Sequence, residues 1–353
     1  MSPRPVLVGG RVLTDWIRAG GRPDRASRAA VFLYRWRAFW FDQGLGLARA
    51  AAPVSSRFPE GEGLLFVMGF WRSGTTVLHE MLAEMPGWGA PETWQCMDPL
   101  AAMRGGRPPA GPAVRRPMDA VEVGPRSPQE DEFALLALGV PSLYRGFIDP
   151  RRLSDLRPLL DQGTWLGQEA GPWTETLAGF LALCQKEGQE ALAVKSPNHV
   201  FRYRALVRRF PRARFVWILR DPADLWASNV RMWQAMTDRY GLWHTPPGGL
   251  ESFLESALGA FMALLRDLRK DGTFRKDVVL SYEDLVREPE RSLRHLSGIL
   301  GVDCMEVEAW LESAATRLTA APRGRNAGLP EGPPALLEGL RTIQEAILAD
   351  AQS

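Results

Sequence analysis

The chain reads as an α/β protein built around a central parallel sheet, and three observations predict it. Short apolar runs of strand length recur along the sequence: "LLFVM" (64–68), "ALAV" (191–194), "ARFVWILR" (213–220) and "DVVLSY" (277–282). Helical stretches separate them, including 201–209, 223–236 and 251–270. Strands that alternate with helices in this way form a parallel sheet covered on both faces. The first run also leads directly into a glycine-bounded turn and a helix, "GFWRSGTTVLHEML".

The 353 residues, 45% of them hydrophobic, suit one elaborated domain with a sizeable core. Residues 1–25 are rich in Gly, Pro and Arg and read as a loose arm, which leaves 26–353 as a single domain. "RAAVFLYRWRAFWFDQGLGLARAA", from Arg28, has the composition of a helix with arginines between bulky apolar side chains. Such a helix packs on the domain with its arginines snorkelling, or lies at an interface and meets a membrane or a lipid substrate. The segment 101–128 is dense in Pro, Gly and Arg and is expected to be a long irregular insertion, either a lid or a disordered loop.

The 43 basic and 41 acidic side chains nearly cancel, which argues against a nucleic-acid partner but leaves room for a local basic pocket. Cys96, Cys184 and Cys304 are odd in number and widely spaced, as expected of reduced thiols in a cytoplasmic protein. They and the four histidines form no metal-ligand spacing, so no metal is expected. No apolar run reaches the roughly 18–20 residues that cross a bilayer. The opening "MSPRPVLVGG" is too weakly apolar for a secretion signal.

The turn after the first strand has the outline Gly69-x-x-x-x-Gly74. Backbone N–H groups at the start of the following helix lack intrahelical partners, and the helix dipole adds positive charge there. Gly74 lets an anion approach the backbone, Ser73, Thr75 and Thr76 supply hydroxyls, and Arg72 supplies a positive side chain. Thr75 stands where a nucleotide triphosphatase keeps the lysine that reaches the terminal phosphates. A ligand with a single 5′-phosphate at the cradle, bound without magnesium, fits that substitution.

"RSGTT" after an apolar strand resembles the 5′-phosphosulfate loop of sulfotransferases that use 3′-phosphoadenosine-5′-phosphosulfate (PAPS), in the arginine form found in bacterial members and in the tyrosylprotein branch. "VKSPNHVFRYRALVRRFPRARFVWILRDPADLWASNV" resembles the family's 3′-phosphate segment, and "LSYEDLVREPE" its Tyr-Glu-Asp segment. The three occur in family order over residues 64–290. The resemblance implies a P-loop-NTPase-like three-layer α/β fold, with a central parallel sheet and helical insertions. It implies transfer of a sulfuryl group from PAPS to a hydroxyl, or less often an amine, with 3′,5′-adenosine bisphosphate (PAP) as product.

The same resemblance assigns roles. Arg220 and Ser228 hold the 3′-phosphate, which suits the bidentate reach of an arginine at a strand end. Tyr282 sits near the adenine. Arg72 and Lys195 stabilise charge around the transferring group. Two residues compete as the base. Glu92 follows Arg72 at the spacing of the tyrosylprotein branch, while His199 lies just after Lys195, as in the cytosolic branch but with three intervening residues instead of one. Glu130, in the acidic run of "SPQEDEF", either caps a helix or faces the acceptor. Trp71 and Trp94 flank the loop and are expected to line an apolar or aromatic acceptor cavity. Arg323, Gly324 and Arg325 loosely resemble the segment that closes over the 3′-phosphate. The acceptor is expected to be a small molecule, with lipids and aromatic natural products both open, and the oligomeric state is open. Two other readings remain: a magnesium-dependent kinase on a P-loop, and a nucleotide-binding protein without turnover.

Overall fold

A computed structural model describes residues 60–116, 121–167, 170–302, 308–314 and 331–352, with Phe58 and a few isolated positions nearer the N-terminus. Most of the expected N-terminal arm and of the helix from Arg28 lies outside the described residues, as do Cys304 and the segment with Arg323, Gly324 and Arg325.

Five strands form one sheet in the order β2-β5-β1-β6-β7: β1 is Leu64–Met68, β2 Trp88–Gly89, β5 Ala191–Lys195, β6 Arg214–Leu219 and β7 Val278–Ser281. Every pairing is parallel; β1 lies at the centre, with Phe66 opposite Val194 on one side and Phe215 on the other. All five residues of β1 are buried, which explains its unbroken apolar run. Alternate side chains go to opposite faces. Phe66, Val194, Phe215 and Trp217 join a large aromatic core on one face, whereas Val67, Ala193, Val216 and Ile218 pack with Leu78 and Leu82 of the first helix on the other. The two cores make the structure three-layered.

Helices α1 (Thr75–Ala83), α6 (Tyr203–Arg209), α7 (Pro222–Tyr240) and α9 (Tyr282–Arg287) each follow a strand. Pro222 starts α7 behind the Asp221 side chain, which accepts from the N–H groups of Ala223 at 2.9 Å and Asp224 at 3.1 Å. The long helix α8 (Gly249–Lys270) buries Leu250, Phe253, Leu254, Ala257, Leu258 and Phe261 at helical spacing. Helices α2 (Thr93–Met97), α3 (Pro99–Met103), α4 (Glu132–Ala137), α5 (Ala170–Cys184), α10 (Pro289–Leu300) and α11 (Pro334–Gln352) complete the labelled helices.

The segment 101–128 departs from a wholly irregular loop only in part, since most of its described residues lie in no helix or strand. Its start belongs to α3, where Pro99 takes the first helical position and Asp98 caps the Ala101 N–H at 3.0 Å. A short antiparallel pair follows, β3 (Val114–Arg115) with β4 (Glu122–Val123). Its end is tied down: the N–H groups of Thr93 and Trp94 donate to the carbonyls of Ser127 and Pro125 at 2.9 and 3.0 Å. Proline forbids long elements but permits short ones at positions that need no donor. Strand β2 is a further departure, too short to leave an apolar run in the sequence.

Candidate active site

The carboxyl ends of β1, β5, β6 and β7 lie on one edge of the parallel sheet, the edge where open α/β sheets bind ligands. The loop from Gly69 to Thr76 leaves β1 there. Arg72 adopts φ 69°, the only non-glycine residue among those described with a positive φ. Such a conformation costs of order 1–3 kcal/mol and persists only where neighbours impose it. Two neighbours do so here: Arg220 Nη1 donates to the Arg72 carbonyl at 2.9 Å, and Arg72 Nε donates to the Ser228 hydroxyl at 3.1 Å. Asn229 Nδ2 holds the preceding carbonyl, that of Trp71, at 2.8 Å.

Gly74 precedes α1 at φ 100°, and a Cβ there would meet the Tyr282 ring at 2.4 Å. The Arg220 guanidinium lies over the same ring, 4.5 Å from its centroid. Arg72, Gly74, Arg220, Ser228 and Tyr282, predicted from three separate segments, are thus brought together. Ser73 Oγ and Arg220 Nε are buried without a hydrogen-bond partner among the described residues, and both are donors suited to an anion. Backbone donors at the α1 start, hydroxyls and two arginines fit a ligand carrying two separated phosphate groups.

At the end of β5, Lys195 is 2% exposed. Its Nζ donates to Thr76 Oγ1 at 3.1 Å and to Glu130 Oε1 at 2.7 Å. Tyr144 donates its hydroxyl to Glu130 Oε2. Burial, and next the Glu130 charge, push the Tyr144 phenol well above its ordinary value, so it remains a neutral donor. His79 fastens α1 to β5 through its Nε2, 3.0 Å from the Ala193 carbonyl. Burial and the Lys195 charge lower its pKa to about 3, which makes the ring a neutral donor. Tyr144, Asn229 and His79 left no signal in the sequence; Asn229 and His79 act through contacts more than a hundred positions away, and Tyr144 through a side chain on another segment.

The acidic run sends its three carboxylates to three cationic or basic partners. Glu130 goes to Lys195, Asp131 lies 3.1 Å from His199 Nε2, and Glu132 forms a forked pair with Arg202. Arg202 is sandwiched between Trp165 and Trp173, 4.4 and 4.6 Å from the ring centroids. Burial by itself would raise the Glu132 carboxyl; the Arg202 charge and hydrogen bond outweigh it and hold the group below its ordinary value.

Two expected site residues, His199 and Trp71, are enclosed, and a third, Glu92, meets neighbours other than Lys195. His199 is fully buried, edge-on to Phe66 and Trp173 at 5.7 and 5.8 Å, so it packs under the sheet instead of facing the loop. Trp71 is 1% exposed and packs among Phe70, Phe201 and Trp233, with its Nε1 donating to Asn198 Oδ1 at 2.9 Å. It supports the core under the loop and lines no open surface. Glu92 starts α2, and its carboxylate is taken by Lys186 Nζ at 2.7 Å and by the Nε1 of the half-buried Trp94 at 2.8 Å. The carboxylate at Lys195 is Glu130.

Comparison with known proteins places the chain in a family. The sulfotransferase family profile matches residues 65–306. Over 246 residues the chain is 30% identical to the omega-hydroxy-beta-dihydromenaquinone-9 sulfotransferase Stf3 of Mycobacterium bovis and to that of Mycobacterium tuberculosis. Each match spans 69% of this chain and 63% of the relative. Among solved structures, sulfotransferase STF1 from Mycobacterium tuberculosis aligns with a TM-score of 0.60 at 16% identity, over 95% of this chain and 90% of that one. Sulfotransferase STF9 from Mycobacterium avium aligns with a TM-score of 0.57 at 18% identity, over 98% and 96% of the two chains. These structural likenesses concern the fold alone, and the family profile over residues 65–306 carries the assignment: the chain belongs to the sulfotransferase family.

Proposed function

We propose that the protein transfers a sulfuryl group from PAPS to the hydroxyl of a small-molecule acceptor by in-line displacement. The observation that carries this reading is the junction at Arg72: the arginine and the hydroxyl expected to hold a second phosphate, Arg220 and Ser228, both contact the loop that cradles the first. That arrangement suits phosphates at two separated positions of a nucleotide, unlike the consecutive phosphates of ATP.

PAPS supplies an activated sulfuryl group on a 5′-phosphate that leaves readily. Ser73, Gly74, Thr75 and Thr76 bind that phosphate through backbone and hydroxyl donors at the start of α1. Arg72 and Lys195 offset the charge that develops on the bridging oxygen, and they act strongly because the site is partly withdrawn from water. Arg220 and Ser228 orient the nucleotide from its other phosphate, and Tyr282 stands beside them for the base. Thr75 in place of a loop lysine speaks against the kinase reading. Retention of Arg72, Lys195, Arg220 and Ser228 together speaks against a binding protein without turnover. For the acceptor, the name of the mycobacterial relative favours an apolar molecule with a free hydroxyl, such as a prenylated lipid.

Calorimetric titration with PAP, beside ADP and ATP with and without magnesium, tests the donor site. Metal-independent binding of PAP in preference to both is expected. Preference for ATP with magnesium would overturn the reading in favour of a kinase.

A further inference from the structure

The sequence left the base between Glu92 and His199, and the structure draws attention to a third residue. Glu130 precedes α4 on a strip of backbone held at the edge of the site: Gln129 N donates to the Pro91 carbonyl at 2.9 Å, and Pro128 bridges to Glu92. Its carboxylate meets Lys195, and Lys195 meets Thr76 of the donor loop, so one side chain separates it from the phosphate cradle. Of the run Glu130-Asp131-Glu132, Glu130 alone retains access to solvent, with 13% of its side chain exposed against 0% for the other two.

We propose that Glu130 is the catalytic base of the transfer, with Tyr144 as the residue that positions it. Lys195 and Tyr144 each donate one hydrogen bond to it, one per oxygen. A carboxylate oxygen has a second lone pair in reserve, so an acceptor hydroxyl can still bind there. In the step, the acceptor O–H bond breaks and its proton passes to Glu130. The acceptor oxygen bonds to sulfur as the bond from sulfur to the 5′-phosphate oxygen breaks, and that electron pair leaves on PAP. The proton then passes to water. Lys195 serves both sides, with its charge set against the Glu130 carboxylate while its Nζ remains within reach of the loop. Glu92 lacks this position because its carboxylate meets Lys186 and Trp94 in place of Lys195. His199 lacks it because its ring is enclosed.

This inference rests on the proposed PAPS chemistry, and the two fail separately. PAP binding by the wild-type protein tests the donor reading. Turnover of PAPS to PAP, followed from about pH 3.5 to 9 with farnesol and with water alone so that the range spans the ordinary carboxylate value, tests Glu130. Glu130→Gln is expected to lose about 10²–10⁴-fold in kcat while binding PAP within about threefold of wild type. It should also lose the decline of kcat/KM at acid pH, and formate should restore part of the activity of Glu130→Ala. Tyr144→Phe, which removes a hydrogen bond to the charged form, should move that decline to higher pH. Glu92→Gln should keep it. Should Glu130→Gln not fold, Glu130→Asp must show the acid decline with a reduced kcat. A folded Glu130→Gln that loses PAP affinity, or that keeps the acid decline, would make Glu130 a counterion of Lys195 and overturn the proposal. So would loss of the decline in Glu92→Gln.

Discussion

Arg72 and Ser228, 156 positions apart in sequence, are joined by a hydrogen bond of 3.1 Å from the guanidinium Nε to the hydroxyl. The bond ties the loop after β1 to the helix after β6, and the neighbouring Arg220 repeats the tie through the Arg72 carbonyl at 2.9 Å. The two expected anion sites are therefore one connected unit. Hydrogen bonds to charged groups contribute about 1.5–3 kcal/mol. Ser228→Ala is accordingly expected to weaken PAP binding by roughly 10–100-fold. Arg220→Ala, which removes a charge and releases the strained Arg72 backbone, should weaken it further. Calorimetry checks both; unchanged affinity in the two variants would place the second phosphate elsewhere.

Gly74 offers a test of the cradle that alters no charged group. Its φ of 100°, with the Tyr282 ring 2.4 Å from where a methyl group would stand, leaves no room for a side chain. Gly74→Ala should cost about 1–3 kcal/mol of stability and displace the ring that stacks under Arg220. A fall in thermal midpoint together with at least tenfold weaker PAP binding is the expected result. A variant that binds PAP normally would show that the ring can move aside without consequence.

These two sites were largely legible in the sequence, because they sit where strongly apolar strands end and the motif residues are within a few positions of those ends. The wiring of Lys195 was not. Glu130, Asp131 and Glu132 are consecutive, yet at the start of a helix consecutive side chains point in different directions, and each finds a partner more than sixty positions away. His199 is only four residues beyond Lys195, but a tight 3-10 turn over Pro197–Arg202 carries it beneath the sheet. Trp71 adjoins the loop in sequence and still packs inward, because Asn229 holds its carbonyl while its ring joins Phe201 and Trp233. Spacing locates a backbone position; it does not say which way the side chain goes.

The Glu132–Arg202 pair is buried on both sides, at 0% and 1% exposure. Removing one partner from such a pair strands a charge and typically costs 3–5 kcal/mol. Arg202→Met should therefore destabilise the fold by about that amount in urea denaturation. Combining it with Glu132→Leu should recover part of the loss, because two apolar residues leave no unpaired charge. A double variant no more stable than the single one would mean that the pair's shape, more than its charge, supports the wall formed by Trp165 and Trp173.

Two groups, the buried His79 and the half-buried Asp277, give stability opposite dependences on pH. His79, lowered to about 3 by burial and then by Lys195, has an ordinary value of 6.5. Between these values the unfolded chain binds the extra proton, so this group makes stability rise with pH from about 3 to 6.5. Asp277 is raised from 3.8 to about 6, chiefly by burial, although it accepts hydrogen bonds from Trp217 and Tyr203. Here the folded chain binds the extra proton between about 4 and 6, so this group makes stability fall with pH across that window. Each contributes a slope of up to about 1.4 kcal/mol per pH unit, and in the wild-type protein the two offset one another near pH 5. His79→Gln, which keeps a donor for the Ala193 carbonyl, should remove the rising slope and leave a variant that loses stability from pH 4 to 6 relative to wild type. Asp277→Asn should do the reverse and gain relative stability over the same interval. Urea denaturation at half-unit steps from pH 4 to 8 separates them, and parallel curves for both variants would show that neither group changes protonation on folding.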